Sequence, residues 1–290
     1  MSADVWASGP SGSYHFNGSW QPFFIGSNNL PLNAISGTSP TNVVGVGNSG
    51  LIAHYDGSDT SWRKDVGETS DPDLNLYSVS GTGPDDIWAG GIDRLAHYDG
   101  SSWTVVPLVL GAPVSPISYR GIWLDQRGQG FACSAEYSAI SRLDAGTWSK
   151  DRTGPSNHEL FSIWGSDPEH AWAVGHGHSL TGFPGKIMKW DGTTWGTDEV
   201  PASTPELTGV WGTDANHVWA VGANGTLLFF DGTAWTALFS GTGDNLNAIW
   251  GSGPRDIWVA GDGGARHFNG TAWSAIGSLG ALTTIWLSAD

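Results

Sequence analysis

One motif recurs seven times along these 290 residues, and its last copy is completed only by joining the two chain ends. Tryptophans that follow a short Asp/Asn-Gly turn stand at Trp20, Trp62, Trp103, Trp148, Trp195, Trp235 and Trp273, at intervals of 42, 41, 45, 47, 40 and 38 residues. Counting from Trp273 to Asp290 and on from Met1 to Trp20 gives a further 37. A repeat whose final interval closes only when the ends are neighbours is a ring. Units of this length built from short strands form propeller blades, so the spacing predicts an all-β fold, a seven-bladed β-propeller.

The clearest copy spells out the unit. It runs Gly209-Val210-Trp211-Gly212, a turn, His217-Val218-Trp219-Ala220-Val221-Gly222, a Gly turn, Thr226-Leu227-Leu228-Phe229-Phe230-Asp231, then Gly232-Thr233-Ala234-Trp235. Short runs of β-branched and aromatic residues bounded by Gly, Asn or Asp are strands and tight turns. Four per repeat match the antiparallel strands A to D of one blade, counted from axis to rim. The chain opens on a B strand, Asp4 to Ser8, and ends on an A strand, Thr284 to Leu287. Blade 1 is therefore expected from residues 1–24 plus 282–290, which leaves no sheet edge free. Residues 1–290 form one domain, with no block left over for a second.

Net charge is −16, from 12 Lys+Arg against 28 Asp+Glu. Nucleic acid is excluded as a partner, since it requires clustered cations. No apolar run is long enough to span a bilayer, so membrane insertion is excluded as well. The 43 glycines fall at fixed turn positions and signal no disorder. The single cysteine, Cys133, precludes an intramolecular disulfide and is expected buried on a B strand. No signal peptide opens the chain, which fits a mature or trimmed form, and an extracellular or cell-envelope location is expected.

The repeat accounts for all 18 tryptophans. Besides the seven on strand D, five belong to strand A (Trp123, Trp164, Trp211, Trp250, Trp286), five to strand B (Trp6, Trp88, Trp172, Trp219, Trp258), and Trp190 to strand C. Burying a tryptophan removes ~150–250 Å² from water, and such wedges are what packs blades around a ring. Adjacent blades 2 and 3 carry Ser36 and Ser80 where the other five have the strand A Trp, and blade 2 has Val44 for the strand B Trp. Small residues there would widen the channel, open a pocket or be absorbed by local repacking. Histidines 15, 54, 97 and 267 share one strand C position with Arg142, Lys189 and Phe229, a tolerance that reads as outward-facing. His170 and His217 read as turn residues. His176 and His178 alone fall outside the repeat, in the longest B–C insertion, and lack the third donor a metal site needs, so no cofactor or metal is indicated.

No nucleophile elbow, P-loop, dinucleotide fingerprint or His-Glu-x-x-His occurs, so an enzyme is not expected. Leu143-Asp144-Ala145-Gly146-Thr147-Trp148 distantly resembles the Asp-box of sialidases. That family's chemistry, three arginines gripping a carboxylate beside a tyrosine nucleophile, has no legible counterpart here. Lys189-Trp190-Asp191-Gly192-Thr193-Thr194-Trp195 resembles the strand C to D turn of bacterial and fungal propeller lectins, and the whole unit is similar to tectonin-like repeats. The resemblance spans the chain and implies a propeller that binds glycans. The Arg and Glu of fucose-binding lectins do not recur, so their sugar sites are not implied.

Connectivity places the A–B and C–D turns on one face and the B–C and D–A connections on the other. The irregular segments are all of the second kind: 66–75, 107–118, 152–159, 176–185 and 197–206. Function on rigid scaffolds concentrates in such loops. A non-catalytic binding module is therefore expected, recognising carbohydrate on the B–C/D–A face, with a protein–protein interaction scaffold as the alternative. The expected site lies around blades 4 to 6, with Tyr137 or Phe183 against a sugar ring and Glu136, His176, His178 and Asn224 on its hydroxyls.

Overall fold

The computed structural model describes residues 4–25, 28–57, 61–64, 74–107, 117–136, 138–152, 158–178 and 182–288. They form seven antiparallel sheets in a ring. Blade 1 is assembled from both ends: strand A, Thr284–Leu287, pairs with strand B, Val5–Gly9, through Trp286 opposite Trp6. Strands Gly12–Phe16 and Trp20–Pro22 complete it. Closure across the termini, predicted from the summed interval, is thus the arrangement observed.

Blade 2 carries an addition. Phe24–Ile25 pairs in parallel with its outer strand, Ser61–Lys64, making a fifth strand. Phe24, grouped by sequence with blade 1, is thereby clamped to its neighbour. The remaining A strands are Ala34–Ser39, Leu76–Gly83, Tyr119–Leu124, His158–Asp167, Leu207–Asp214 and Leu246–Gly253.

The Trp-Gly pair of strand A holds blades together. A Cβ added to Gly165 would fall 2.8 Å from the ring of Trp123 in the preceding blade; at Gly212, Trp164 is 2.7 Å away, at Gly251, Trp211 is 2.7 Å away, and at Gly37, Trp286 is 2.7 Å away. Each indole lies in a notch that only glycine leaves. Where blade 3 carries Ser80, blade 4 has Leu124 in the glycine's register, buried against Trp88 and Ile122. Where blade 2 carries Ser36, Gly81 is retained, and a cavity bounded by Ser36, Asn42, Val44 and Ile87 holds about 10 Å³ of water-accessible space. That is the scale of one water molecule, so the substitutions are absorbed by repacking at one seam and leave a one-water notch at the other.

The C–D turn explains the repeated Asp-Gly-Thr/Ser-x-Trp. Asp99 Oδ1 accepts hydrogen bonds from the Ser101 N–H (2.9 Å), Ser101 Oγ (2.7 Å) and the Ser102 N–H (2.9 Å). Asp191, Asp231 and Asn269 repeat the pattern. The following glycines sit at φ +89 to +93, the left-handed region that glycine adopts without penalty. Three donors converging on one carboxylate oxygen favour the ionised form, and the carboxyls of Asp99, Asp191 and Asp231 are lowered to about 2.

Strand C histidines are not outward-facing as their variability suggested. His15, His97 and His267 lie flat on the strand B tryptophans Trp6, Trp88 and Trp258, with ring centroids 3.8, 4.1 and 4.4 Å apart. Each also reaches the Asp that opens strand B: Asp4 at 3.0 Å, Asp86 at 2.9 Å and Asp256 at 2.6 Å. In blades 5 and 6 the imidazole moves instead to the start of strand B, where His170 and His217 bond Asp167 and Asp214 at the end of strand A. Cys133 is fully buried and its thiol is pushed up to about 12 by burial, which makes it an inert packing residue.

Candidate functional site

Strand A enters each blade from the B–C/D–A face, and its first residues set the mouth of the central channel. The residue three positions before the strand A Trp, or the Ser that replaces it, lines the channel in every blade: Thr283, Asn33, Tyr77, Arg120, Phe161, Thr208 and Asn247 in blades 1 to 7. In five of them the ladder register jumps across that residue, at Leu76/Ser78, Tyr119/Gly121, Leu160/Ser162, Leu207/Gly209 and Leu246/Ala248. A β-bulge re-aims one side chain out of the sheet, and here it re-aims it towards the axis. The channel holds about 180 Å³ of water-accessible space.

The ring is divided. Thr208, Asn247 and Asn33 donate to the carbonyls of Leu246 (2.6 Å), Leu282 (2.8 Å) and Leu76 (2.8 Å) of the next blade, so their polar groups are committed to the seams. The other arc is Tyr77, Arg120 and Phe161. The Arg120 guanidinium stacks on the Tyr77 ring at 4.1 Å from its centroid. It is exposed and makes no ion pair among the described residues. The described lining contains no carboxylate, imidazole, thiol or lysine, so Arg120 is its only formal charge.

Next to Phe161 lies the blade 5 cluster. Strand B of this blade, His170–Gly177, runs further than its relatives, so His176 belongs to the strand and not to the insertion. It stands opposite Glu159, which belongs to strand A and not to the preceding connection. His178 Nε2 lies 3.0 Å from Glu159 Oε1 and His176 Nε2 lies 3.8 Å from Glu159 Oε2. Phe183 covers both imidazoles, at centroid distances of 4.8 and 5.1 Å, and Phe161 meets His176 at 5.3 Å.

Of the site residues expected from sequence, His176, His178 and Phe183 are brought together. Glu136 and Asn224 do not join them through any contact among the described residues. The Glu136 carboxylate accepts the Ser118 N–H at 2.6 Å and so ties its own B–C loop to the incoming strand. Asn224 is exposed in a left-handed turn (φ 56) whose backbone N–H donates to Asn245 Oδ1 at 3.0 Å. Both serve loop structure. Tyr137 lies outside the described residues, as do most of segments 66–75 and 107–118. The channel ring was missed by sequence reasoning, although its signal was present: a position at constant register before the strand A Trp whose residue type varies from blade to blade.

Neither a protein-family model nor a curated protein sequence matches this chain. Among solved structures, a protein from Lactobacillus plantarum aligns over 99% of both chains with a TM-score of 0.72 at 11% identity. The WD40 propeller domain of Doa1 aligns over 89% of both at 0.65 and 14%. YCF48 from Cyanidioschyzon merolae aligns over 86% of this chain and 88% of its own at 0.63 and 16%. Identities this low establish the fold alone. The molecule is a seven-bladed β-propeller.

Proposed function

We propose that this propeller is a non-catalytic binding module that docks a protein segment across the B–C/D–A face and seats one of its carboxylates on Arg120. The observation that carries the reading is the lone, exposed guanidinium at the channel mouth, held by Tyr77 and flanked by Phe161. A guanidinium presents a rigid fork of donors that matches a carboxylate, and the low polarity of its aromatic neighbours strengthens such a pair. Sidedness supports a protein partner. The exposed large apolar side chains among the described residues are Phe24, Phe183, Leu238 and Phe239, with Phe239 86% exposed. All four belong to B–C or D–A segments or to the strand ends that feed them. Leu238 and Phe239 also border an apolar groove between blades 6 and 7, with Trp219, Ile257 and Phe268. Exposed apolar patches mark contact surfaces.

The test is a peptide array of acidic and free-carboxylate sequences read with wild type and Arg120→Ala. Peptides captured by wild type should lose tenfold or more with the variant, and should be held less well at high salt. Equal capture by both proteins would sink the proposal. Carbohydrate recognition is the second reading, favoured by Phe183, whose ring is 54% exposed beside two imidazoles. A glycan array with and without calcium, repeated with Phe183→Ala, separates it from the first.

A further inference from the structure

We propose that Glu159, His176 and His178 form a site for one divalent transition-metal ion, of which zinc is the type, on the B–C/D–A face of blade 5. The pairing of strands A and B brings the donors together. Glu159 is directly opposite His176 in the antiparallel ladder. Alternate residues of a strand share a face, so His178, two residues on, follows His176 to the same side. Gly177 between them faces the other way, where a Cβ would lie 3.0 Å from the His158 ring and 3.1 Å from the Lys186 side chain. The lysine is therefore kept off the donor side.

One ligand atom from each of the three residues lies within 4.8 Å of the others. Donors around a tetrahedral zinc stand ~3.4 Å apart, given bonds of about 2.0–2.1 Å, so small side-chain adjustments complete the geometry. His176 supplies an independent reason. It is only 5% exposed, its Nδ1 has no hydrogen-bond partner, and its Nε2 is 3.8 Å from the nearest carboxylate oxygen. The nitrogen that faces Glu159 is Nε2, and 3.8 Å is too long for a hydrogen bond, so an ion shared between Nε2 and the carboxylate fits the gap, with Nδ1 left as the N–H nitrogen of the neutral ring. Two imidazoles and one carboxylate select zinc, nickel or copper over calcium and magnesium, which take oxygen ligands. Elsewhere among the described residues each histidine–carboxylate contact brings only two donors together, as in His170 with Asp167 and His217 with Asp214. The proposal is independent of what Arg120 binds.

The experiment uses the whole chain without a histidine tag, titrated calorimetrically with zinc chloride and, in parallel, calcium and magnesium chloride. One zinc per chain is expected, with a rise in melting temperature and little response to the other two. His178→Ala and Glu159→Gln, checked for folding by thermal melts in chelator, should each weaken zinc tenfold or more. Phe183→Ala keeps all three donors and should retain the ion. Cobalt substitution of the wild-type protein gives a readout that survives a variant that fails to fold: intense visible bands of low coordination number are expected. An aquo-like cobalt spectrum, no saturable zinc binding, an equal response to calcium, or wild-type affinity in both donor variants overturns the proposal.

Discussion

At the seam between blades 5 and 6 the Trp164 ring lies in the notch of Gly212; at the seam between blades 2 and 3, Ser36 faces Gly81 across a cavity the size of one water. The backbone problem is the same at both. At the first, apolar surface fills the space and joins the largest core cluster, with Trp172, Trp211 and Val210. At the second, the aromatic is gone but its notch remains, and the neighbouring polar groups turn to one another, as in the bond from Asn42 Nδ2 to Thr38 Oγ1 at 2.6 Å. Ring stability is thus distributed unevenly. The seam between blades 3 and 4 shows why the notch need not follow the tryptophan: Leu124 takes the glycine's place and restores packing without an indole.

The largest effect should come from breaking the filled seam. Trp164→Ala is expected to cost about 3–5 kcal/mol, as truncation of buried aromatics does, whereas Ser36→Ala should stay within about 0.5 kcal/mol. Urea denaturation of the two variants measures both. Equal losses would mean that the seams do not differ as described.

A middle-sized effect distinguishes the two seams that lack tryptophan. Ser80→Trp meets Leu124 and should destabilise by about 1–3 kcal/mol through overpacking. Ser36→Trp meets Gly81 but a cavity of only about 10 Å³, so it should overpack as well, by less than Ser80→Trp and by about 1 kcal/mol. Melting temperatures that rank the variants the other way would show that Leu124 does not substitute for the missing ring.

The smallest effect sharpens the comparison by touching both sides alike. Blade 3 holds Asp99 and blade 6 holds Asp231, each lowered from 3.8 to about 2 by the donors of its turn. A carboxyl depressed by folding contributes stability that is full above its unfolded value and is lost as pH falls through its folded value. Stability should therefore decline between about pH 4 and pH 2. In Asp99→Asn/Asp231→Asn the decline should be shallower, since Asn269 already makes the same turn with an amide. Denaturant midpoints measured across that range provide the check. An unaltered acid slope would remove these aspartates as its source.

The sequence reading also erred where chemistry depends on facing. His15, His97 and His267 looked exposed because Arg, Lys and Phe stand at the same repeat position, yet those residues also lie over aromatic faces: Lys189 Nζ is 4.6 Å from the Phe230 ring centre and Arg142 is 5.6 Å from that of Trp190. What is common to the position is a flat neighbour, and residue type alone does not reveal it. Glu159 and His176 were read as connection and insertion because the repeat had already ended in their segments. Only the extra length of the two strands, continued to His158 and Gly177, aligns them.

The sequence by itself determined the number of blades, the closure through the termini and the turn chemistry, because each depends on spacing or on contacts within a few residues. Why glycine stands at Gly37, Gly165, Gly212 and Gly251 was decided only in three dimensions, since each of these notches is filled by the strand A Trp of the blade before it. The same holds for the channel mouth. A bulge of one residue turns Arg120 and Phe161 towards the axis, and pairing across two strands sets Glu159 against His176, so the residues a ligand would meet are assembled by register between strands and not by order along the chain.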